Sequence, residues 1–202
     1  MNDNIRGEKM NPNREQKILE LLSEDPSAIL MFKNKYTTDN MWKFCIELEP
    51  SLFQFMKTPS EEMILYALSE DGANIKYLKE MGITLTPKMI YTAVKSYPGA
   101  IYMIPPELRT SRLREFACTE DPSLMRELSL KKEYVDKRLK SDPTLVRFLK
   151  NPTEDQLCNA IIADPNICAY IEKFTPKVKQ LIRELYPDII PLIPRLSAQF
   201  SE

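Results

Sequence analysis

The stretch Asp164-Pro165-Asn166-Ile167-Cys168-Ala169-Tyr170-Ile171 decides the fold, because it is one copy of a unit that recurs along nearly the whole chain. Counted from Pro165, apolar residues stand three and six places on, at Cys168 and Ile171. The same frame fits Pro26 (Ile29, Phe32), Pro50 (Phe53, Met56), Gly72 (Ile75, Leu78), Pro98 (Ile101, Ile104), Pro122 (Met125, Leu128), Pro143 (Val146, Leu149) and Pro187 (Ile190, Ile193). Successive origins lie 24, 22, 26, 24, 21, 22 and 22 residues apart. A period this steady, with the same apolar positions each time, marks a stacked repeat protein.

Upstream of each copy lies a helical stripe. Asn151-Pro152-Thr153-Glu154 has a capping residue, a proline at the first helical position and a glutamate, and Leu157, Ala160 and Ile161 follow on one face. Thr58-Pro59-Ser60-Glu61 reads the same way, with Thr58 as the cap, ahead of Ile64, Ala67 and Leu68. Thr86-Pro87 and Thr175-Pro176 start two more, the former lined by Ile90, Ala93 and Val94. The first repeat opens at Asn13-Arg14-Glu15-Gln16, where Asn13 caps and Gln16 reaches back, and its stripe is Ile18, Leu21 and Leu22. Asp25-Pro26 then ends one helix and starts the next, since proline cannot continue the first yet suits the opening of the second. The linker from Glu80 to Leu85 is longer than the others, and Gly72 stands where proline is expected. Arg114 occupies an apolar place, so the stripe is expected to slip to Leu113, Phe116 and Ala117, while Glu127 replaces the Met, Phe, Tyr or Leu found five residues after most origins.

These patterns predict an all-α fold, a right-handed α-solenoid of about eight helix-turn-helix repeats of about 22–24 residues. Each repeat is expected to hold two helices of about eight to eleven residues, too short to persist alone in water. Residues 1–12 are expected to form a flexible lead, 13–196 a single repeat domain, and 197–202 a tail. The last second helix, from Asp188 to Pro194, is too rich in proline to stay regular for long.

The chemistry of the 202 residues narrows the function. Hydrophobic residues at 43% and charged ones at 28% suit a folded globular chain. Four glycines against sixteen prolines disfavour phosphate-cradling loops. No histidine is present, which removes the commonest general base and zinc ligand together. Cys45, Cys118, Cys158 and Cys168 show no CxxC spacing and fall on apolar faces, as small buried hydrophobes of a reducing compartment do. No GxGxxG, P-loop, HExxH or GxSxG pattern occurs. Acidic pairs such as Glu61-Glu62 and Glu120-Asp121 sit at helix starts or Asp-Pro junctions, where capping accounts for them. A non-enzymatic chain without catalytic residue, metal or cofactor is therefore expected.

The recurrent Thr or Asn, Pro, helix, Asp-Pro, helix pattern resembles a family of short repeats classed as a domain of unknown function and found in bacteria, bacteriophages and large DNA viruses. Asn151 to Ile171 and Thr58 to Leu78 carry the resemblance best, and it extends over Asn13 to Ile193. It implies a helical repeat fold and a phage or mobile-element origin, and it brings no catalytic residues.

Charge supplies the candidate site. From Arg14 to Asp71 six basic residues face eleven acidic ones, a balance of −5, whereas from Gly72 onward twenty basic meet sixteen acidic, +4. Arg109, Arg112, Arg114, Arg126, Lys131 and Lys132 crowd into the irregular fifth and sixth repeats, and Trp42 and Tyr66 are the aromatic anchors to inspect. The expected partner is a protein with an acidic patch, the chain acting as an interaction module that modulates or inhibits a host protein if its origin is phage. Nucleic acid or nucleotide binding is the second reading, weakened by a net charge of −1 and a pI near 5.8. With no signal-like opening and no long apolar run, a cytoplasmic location without membrane contact is expected.

Overall fold

The computed structural model describes residues 12–33 and 36–200, so the lead expected over residues 1–12 lies outside the described residues apart from Pro12, as do residues 201–202 at the end of the expected tail. Among the described residues every regular element is helical and none is a strand, an all-α repeat fold. The chain divides into two compact units between Arg109 and Thr110. Both are built from one repeat.

In chain order the α-helices are α1 (Pro12–Glu24), α2 (Asp39–Leu48), α3 (Glu61–Glu70), α4 (Ile75–Glu80), α5 (Pro87–Ser96), α6 (Ser111–Glu120), α7 (Lys132–Ser141), α8 (Glu154–Ala163), α9 (Pro176–Leu185) and α10 (Pro194–Phe200). All but α1, α4 and α10 open a repeat with ten residues. The second element is not the helix of eight to eleven residues that was expected. It is a 3₁₀ helix of six residues in Pro26–Met31, Pro50–Phe55, Pro98–Met103, Pro143–Phe148 and Pro165–Tyr170, and of five in Pro122–Arg126.

Three local causes hold this tighter geometry. Pro50–Phe55 and Pro98–Met103, after Glu49 and Tyr97, have no side-chain cap, whereas in the other four the aspartate ahead of the proline accepts a hydrogen bond from the backbone N–H two residues on, at 3.0 Å from Ser27, 2.9 Å from Ser123, 3.0 Å from Thr144 and 3.0 Å from Asn166. Its own carbonyl then takes the next N–H in a three-residue step, as from Ala28 to Asp25 and from Ile167 to Asp164. At the far end the extended sixth residue closes another such step, Phe32 to Ile29, Met56 to Phe53, Leu149 to Val146 and Ile171 to Cys168. With three residues per turn, the origin and the third and sixth residues fall on one line, so the apolar spacing matches the 3₁₀ period. Each aspartate cap is worth about 1 kcal/mol.

The third repeat shows what changes without proline. Gly72–Asn74 makes one 3₁₀ turn and the chain relaxes into α4. Gly82, at φ 71°, ends that helix: its N–H reaches Lys79 O at 3.0 Å and that of Ile83 reaches Leu78 O at 2.9 Å, an end motif that needs the left-handed conformation. This added ending explains the spacing of 26 residues.

The opening helices share one frame. Met63, Ile64, Ala67 and Leu68 are buried in α3, and Met89, Ile90, Ala93 and Val94 at the same places in α5. In α6 the frame does not slip as expected: Leu113, Ala117 and Cys118 are buried, and Phe116 is only half-buried. Thr110 fixes the start of α6 by accepting from the Leu113 N–H at 3.2 Å, and Arg114 takes an apolar place while its Nη2 donates to Ser111 Oγ at 3.3 Å. Three expected caps also shift. Ser60 and Thr153, not Thr58 and Asn151, cap α3 and α8, the latter with Gln156 in a capping box, because each proline precedes the cap instead of following it. Asn13 lies inside the first turn of α1, and Gln16 Nε2 donates to Glu20 at 3.5 Å.

In the first unit α2 packs on α1 and α3, and α3 on α5, where the fully buried Ala67 and Ala93 allow close approach. Leu22, Ile29, Met41, Cys45 and Leu52 belong to one of its apolar clusters. In the second unit α8 packs on α9, the successive 3₁₀ helices touch, and Val146, Ile161, Cys168, Val178 and Ile182 anchor the core. The last 3₁₀ element is only three residues, Pro187–Ile189, and Phe200 of α10 meets Phe174 edge-on at 6.5 Å. Polar ties between neighbouring repeats recur: Thr38 Oγ1 donates to Glu15 at 3.0 Å, Thr175 Oγ1 donates to Glu154, and Lys43 pairs with Glu62 at 2.6 Å and Lys177 with Asp155 at 2.7 Å. The ion pairs are exposed and add little, so apolar burial holds the short helices. No described helix is long and apolar enough to cross a membrane.

Candidate functional site

The core uses the second, third and sixth residues after each origin, and most fourth, fifth and seventh residues turn outward, with Tyr77 half-buried and Phe148 packed against the second core. In the second unit the ends of Pro122–Arg126, Pro143–Phe148 and Pro165–Tyr170 enclose a hollow of about 350 Å³. Arg126, Arg147, Lys150 and Lys173 line it, with Tyr170 and a single carboxylate, Glu172.

The arginines are held differently. The guanidinium of Arg147 lies 4.8 Å from the ring centre of Phe148 and 5.4 Å from that of Tyr170. Stacked in this way, a guanidinium keeps its in-plane N–H donors for a carboxylate or phosphate. Arg126 Nη2 stands 3.9 Å from Glu172, an exposed contact that a better acceptor can displace. Four cations against one carboxylate around a concave opening raise the local concentration of anionic groups. Tyr170, 59% exposed, adds a flat face beside them.

Of the residues expected from sequence, only Arg126 lies in this hollow. Arg109 is engaged by its own backbone, its Nε donating to Ile104 O at 2.7 Å and its Nη2 to Tyr102 O at 2.9 Å. Arg112 is exposed in the first turn of α6, and Arg114 is half-buried with its Nε in the interior. Lys131 and Lys132 are exposed at the start of α7. Trp42 is half-buried in the first unit, its Nε1–H donating to Thr37 Oγ1 at 3.3 Å, and Tyr66 lies under the Lys43 ammonium at 5.6 Å. Arg147, Lys150 and Lys173 were missed because they follow the basic cluster of the fifth and sixth repeats and lie in the next two copies. Repeat position was the available signal: Arg126 and Arg147 both stand four residues after their prolines.

The cysteines are held in the unreactive form. All four cysteines are buried and free. Burial pushes the thiols of Cys45 and Cys168 up to about 11 and that of Cys118 up to about 12, and raises Cys158 as well. Neutral thiols are poor nucleophiles. In native protein at neutral pH a thiol reagent should label none of the four, and all four should react once denaturant is added; rapid native labelling would contradict this burial. Because the folded thiols hold their protons beyond the unfolded value near 9, the stability they contribute is complete below pH 9 and falls as pH rises toward 12. Thermal melts from pH 7 to 11 should show that decline. Among the described residues no group of three or more Cys, Asp or Glu is arranged to hold a metal ion. No protein-family model, curated protein or solved structure matches the chain, so what the hollow binds is argued from its own chemistry.

Proposed function

We propose that this protein is a non-enzymatic interaction module whose second unit binds an acidic surface of a partner protein in the hollow lined by Arg126, Arg147, Lys150 and Lys173. The observation that supports this reading is the concentration of four cations from three successive repeats around one opening, in a chain whose total charge is close to zero. Opposite charge on a partner speeds encounter and fixes orientation, at a strength that falls with salt. By its resemblance to repeats of phages and large DNA viruses, the partner is a host protein whose activity the complex blocks or redirects.

The test is affinity capture by the full chain from host lysate, followed by titration of the captured protein. Reversal of Arg126, Arg147, Lys150 and Lys173 to glutamate should weaken the complex by roughly a hundredfold or more. Reversal of Arg112, Lys131 and Lys132 should leave it within about threefold, since rim charges act mainly on encounter. Equal affinity of the first variant and the wild type would remove the hollow from the interface. Nucleic acid is favoured by one feature, the exposed Tyr170 ring beside the cations. Binding of a single-stranded oligonucleotide with a steep salt dependence, lost in the first variant, would put that reading in place of the protein partner.

A further inference from the structure

We infer that the 3₁₀ edge of the first unit is a second docking surface, shaped for an acidic segment of a partner protein that carries a large apolar side chain. The inference shares with the proposed function only the sign of the partner's charge and rests on different residues.

Folding needs the second, third and sixth residues of each 3₁₀ segment: Ala28, Ile29, Leu52 and Phe53 are buried, and Phe32 and Met56 close the ends. The fifth residue is free of that duty. In the 3₁₀ segments of the first unit it is nevertheless large and apolar or aromatic, Met31, Phe55 and Met103, while Tyr77 at the same spacing lies half-buried on α4. Met31 is 87% exposed and Phe55 52%. Core packing does not explain apolar side chains at solvent-facing places that recur in register, and such clusters mark interaction sites.

Between the first two segments these residues border a hollow of about 590 Å³, with Leu30 and Phe32 in its wall and the half-buried Trp42 at its side. Its rim is basic. Lys33 and Lys57, each seven residues after its proline, are both exposed and both line the hollow. No carboxylate occurs in Pro26–Lys33 or Pro50–Lys57, although this half of the chain is acidic overall. Among the described residues no carboxylate lines the hollow; the acids stand on α1 (Glu15, Glu20, Glu24), on α2 (Asp39, Glu47), on α3 (Glu61, Glu62, Glu70) and at the caps Asp25 and Glu49 ahead of the two prolines. An apolar hollow with a purely cationic rim fits a segment that offers an apolar anchor flanked by carboxylates, and it disfavours a basic one.

Trp42 is the only tryptophan of the chain, so its emission reports directly on this hollow. A short synthetic peptide of Asp, Glu, Leu and Phe, titrated into the full-length protein, should change Trp42 emission saturably. Met31→Ser with Phe55→Ser should weaken the response about tenfold or more while the helical circular dichroism is kept, and Lys33→Glu with Lys57→Glu should weaken it several-fold. A peptide with Lys for every Asp and Glu should give none. The variant reversed at Arg126, Arg147, Lys150 and Lys173 should respond like the wild type. Four outcomes would overturn the inference: no saturable change; an equal response in the Met31/Phe55 variant; a change driven by protein concentration alone, which would make a second copy the occupant; or a response to an oligonucleotide and not to the peptide. Loss of the response only in the four-cation variant would also overturn it, and would place the peptide in the other hollow with the proposed function intact.

Discussion

Replacing Gly72 with proline, which would restore the residue the other seven repeats carry at that position, is expected to destabilise the protein by about 3 kcal/mol. Regularity alone suggests the opposite, since proline stiffens the unfolded chain and suits the first position of a helix. Space decides. A Cβ at Gly72 would lie 2.0 Å from the carbonyl oxygen of Ala93 and 2.8 Å from its carbon, both backbone atoms of α5 that cannot rotate away. Relief requires α5 to move from the Gly72 turn, loosening the packing of α3 on α5. Gly99 supplies the contrast: there a Cβ would meet the Tyr97 ring at 2.6 Å, and a side chain can swing aside. Denaturant unfolding of the full chain should rank the proteins wild type, Gly99→Ala, Gly72→Ala, Gly72→Pro in falling stability. A Gly72→Pro protein as stable as the wild type would mean that the close approach of α5 is incidental.

Phe53→Ala should cost about 3–5 kcal/mol, whereas Phe55→Ala, two residues along the same 3₁₀ helix, should shift stability by less than about 0.5 kcal/mol. The two rings differ only in direction. Phe53 is 0% exposed, at the third residue after Pro50, whereas Phe55 at the fifth is half in solvent. Removing the first leaves a cavity that the short surrounding helices close only in part; removing the second exchanges one solvated surface for another. Binding should reverse the order, with Phe55→Ala losing affinity for the acidic peptide at unchanged stability. Comparable destabilisation by both would show that the fifth position carries load in the fold and is not kept for a partner.

How much the sequence disclosed follows from where its information lies. Repeat spacing and apolar positions were legible because every copy repeats the same burial requirement, so Ile29, Phe53 and Ile101 were read as interior residues of the first unit and Val146 and Cys168 as interior residues of the second. The 3₁₀ character was written there too, in apolar residues three apart, but a helix of the ordinary kind also buries such positions, and the three-residue backbone steps that close each segment belong to no side-chain periodicity. Caps misread at Thr58 and Asn151 show the same limit: proline can stand just before a cap as readily as just after it. Arg114 shows another, since one misfit residue was given the power to move a whole stripe when Thr110 already fixed the register. The hollow in the second unit was the least visible, because charge was counted along the chain while folding gathers it by repeat position.

The division of labour inside each 3₁₀ segment separates architecture from recognition. Inner residues hold the scaffold and exposed ones such as Met31, Phe55, Arg126 and Arg147 meet solvent, so these outer places can be rewritten with little effect on the stacking beneath them. Under the proposed function, ligand preference would be editable one copy at a time, and transplanting the Arg147-Phe148-Lys150 set onto Gln54-Phe55-Lys57 takes a single substitution, Gln54→Arg.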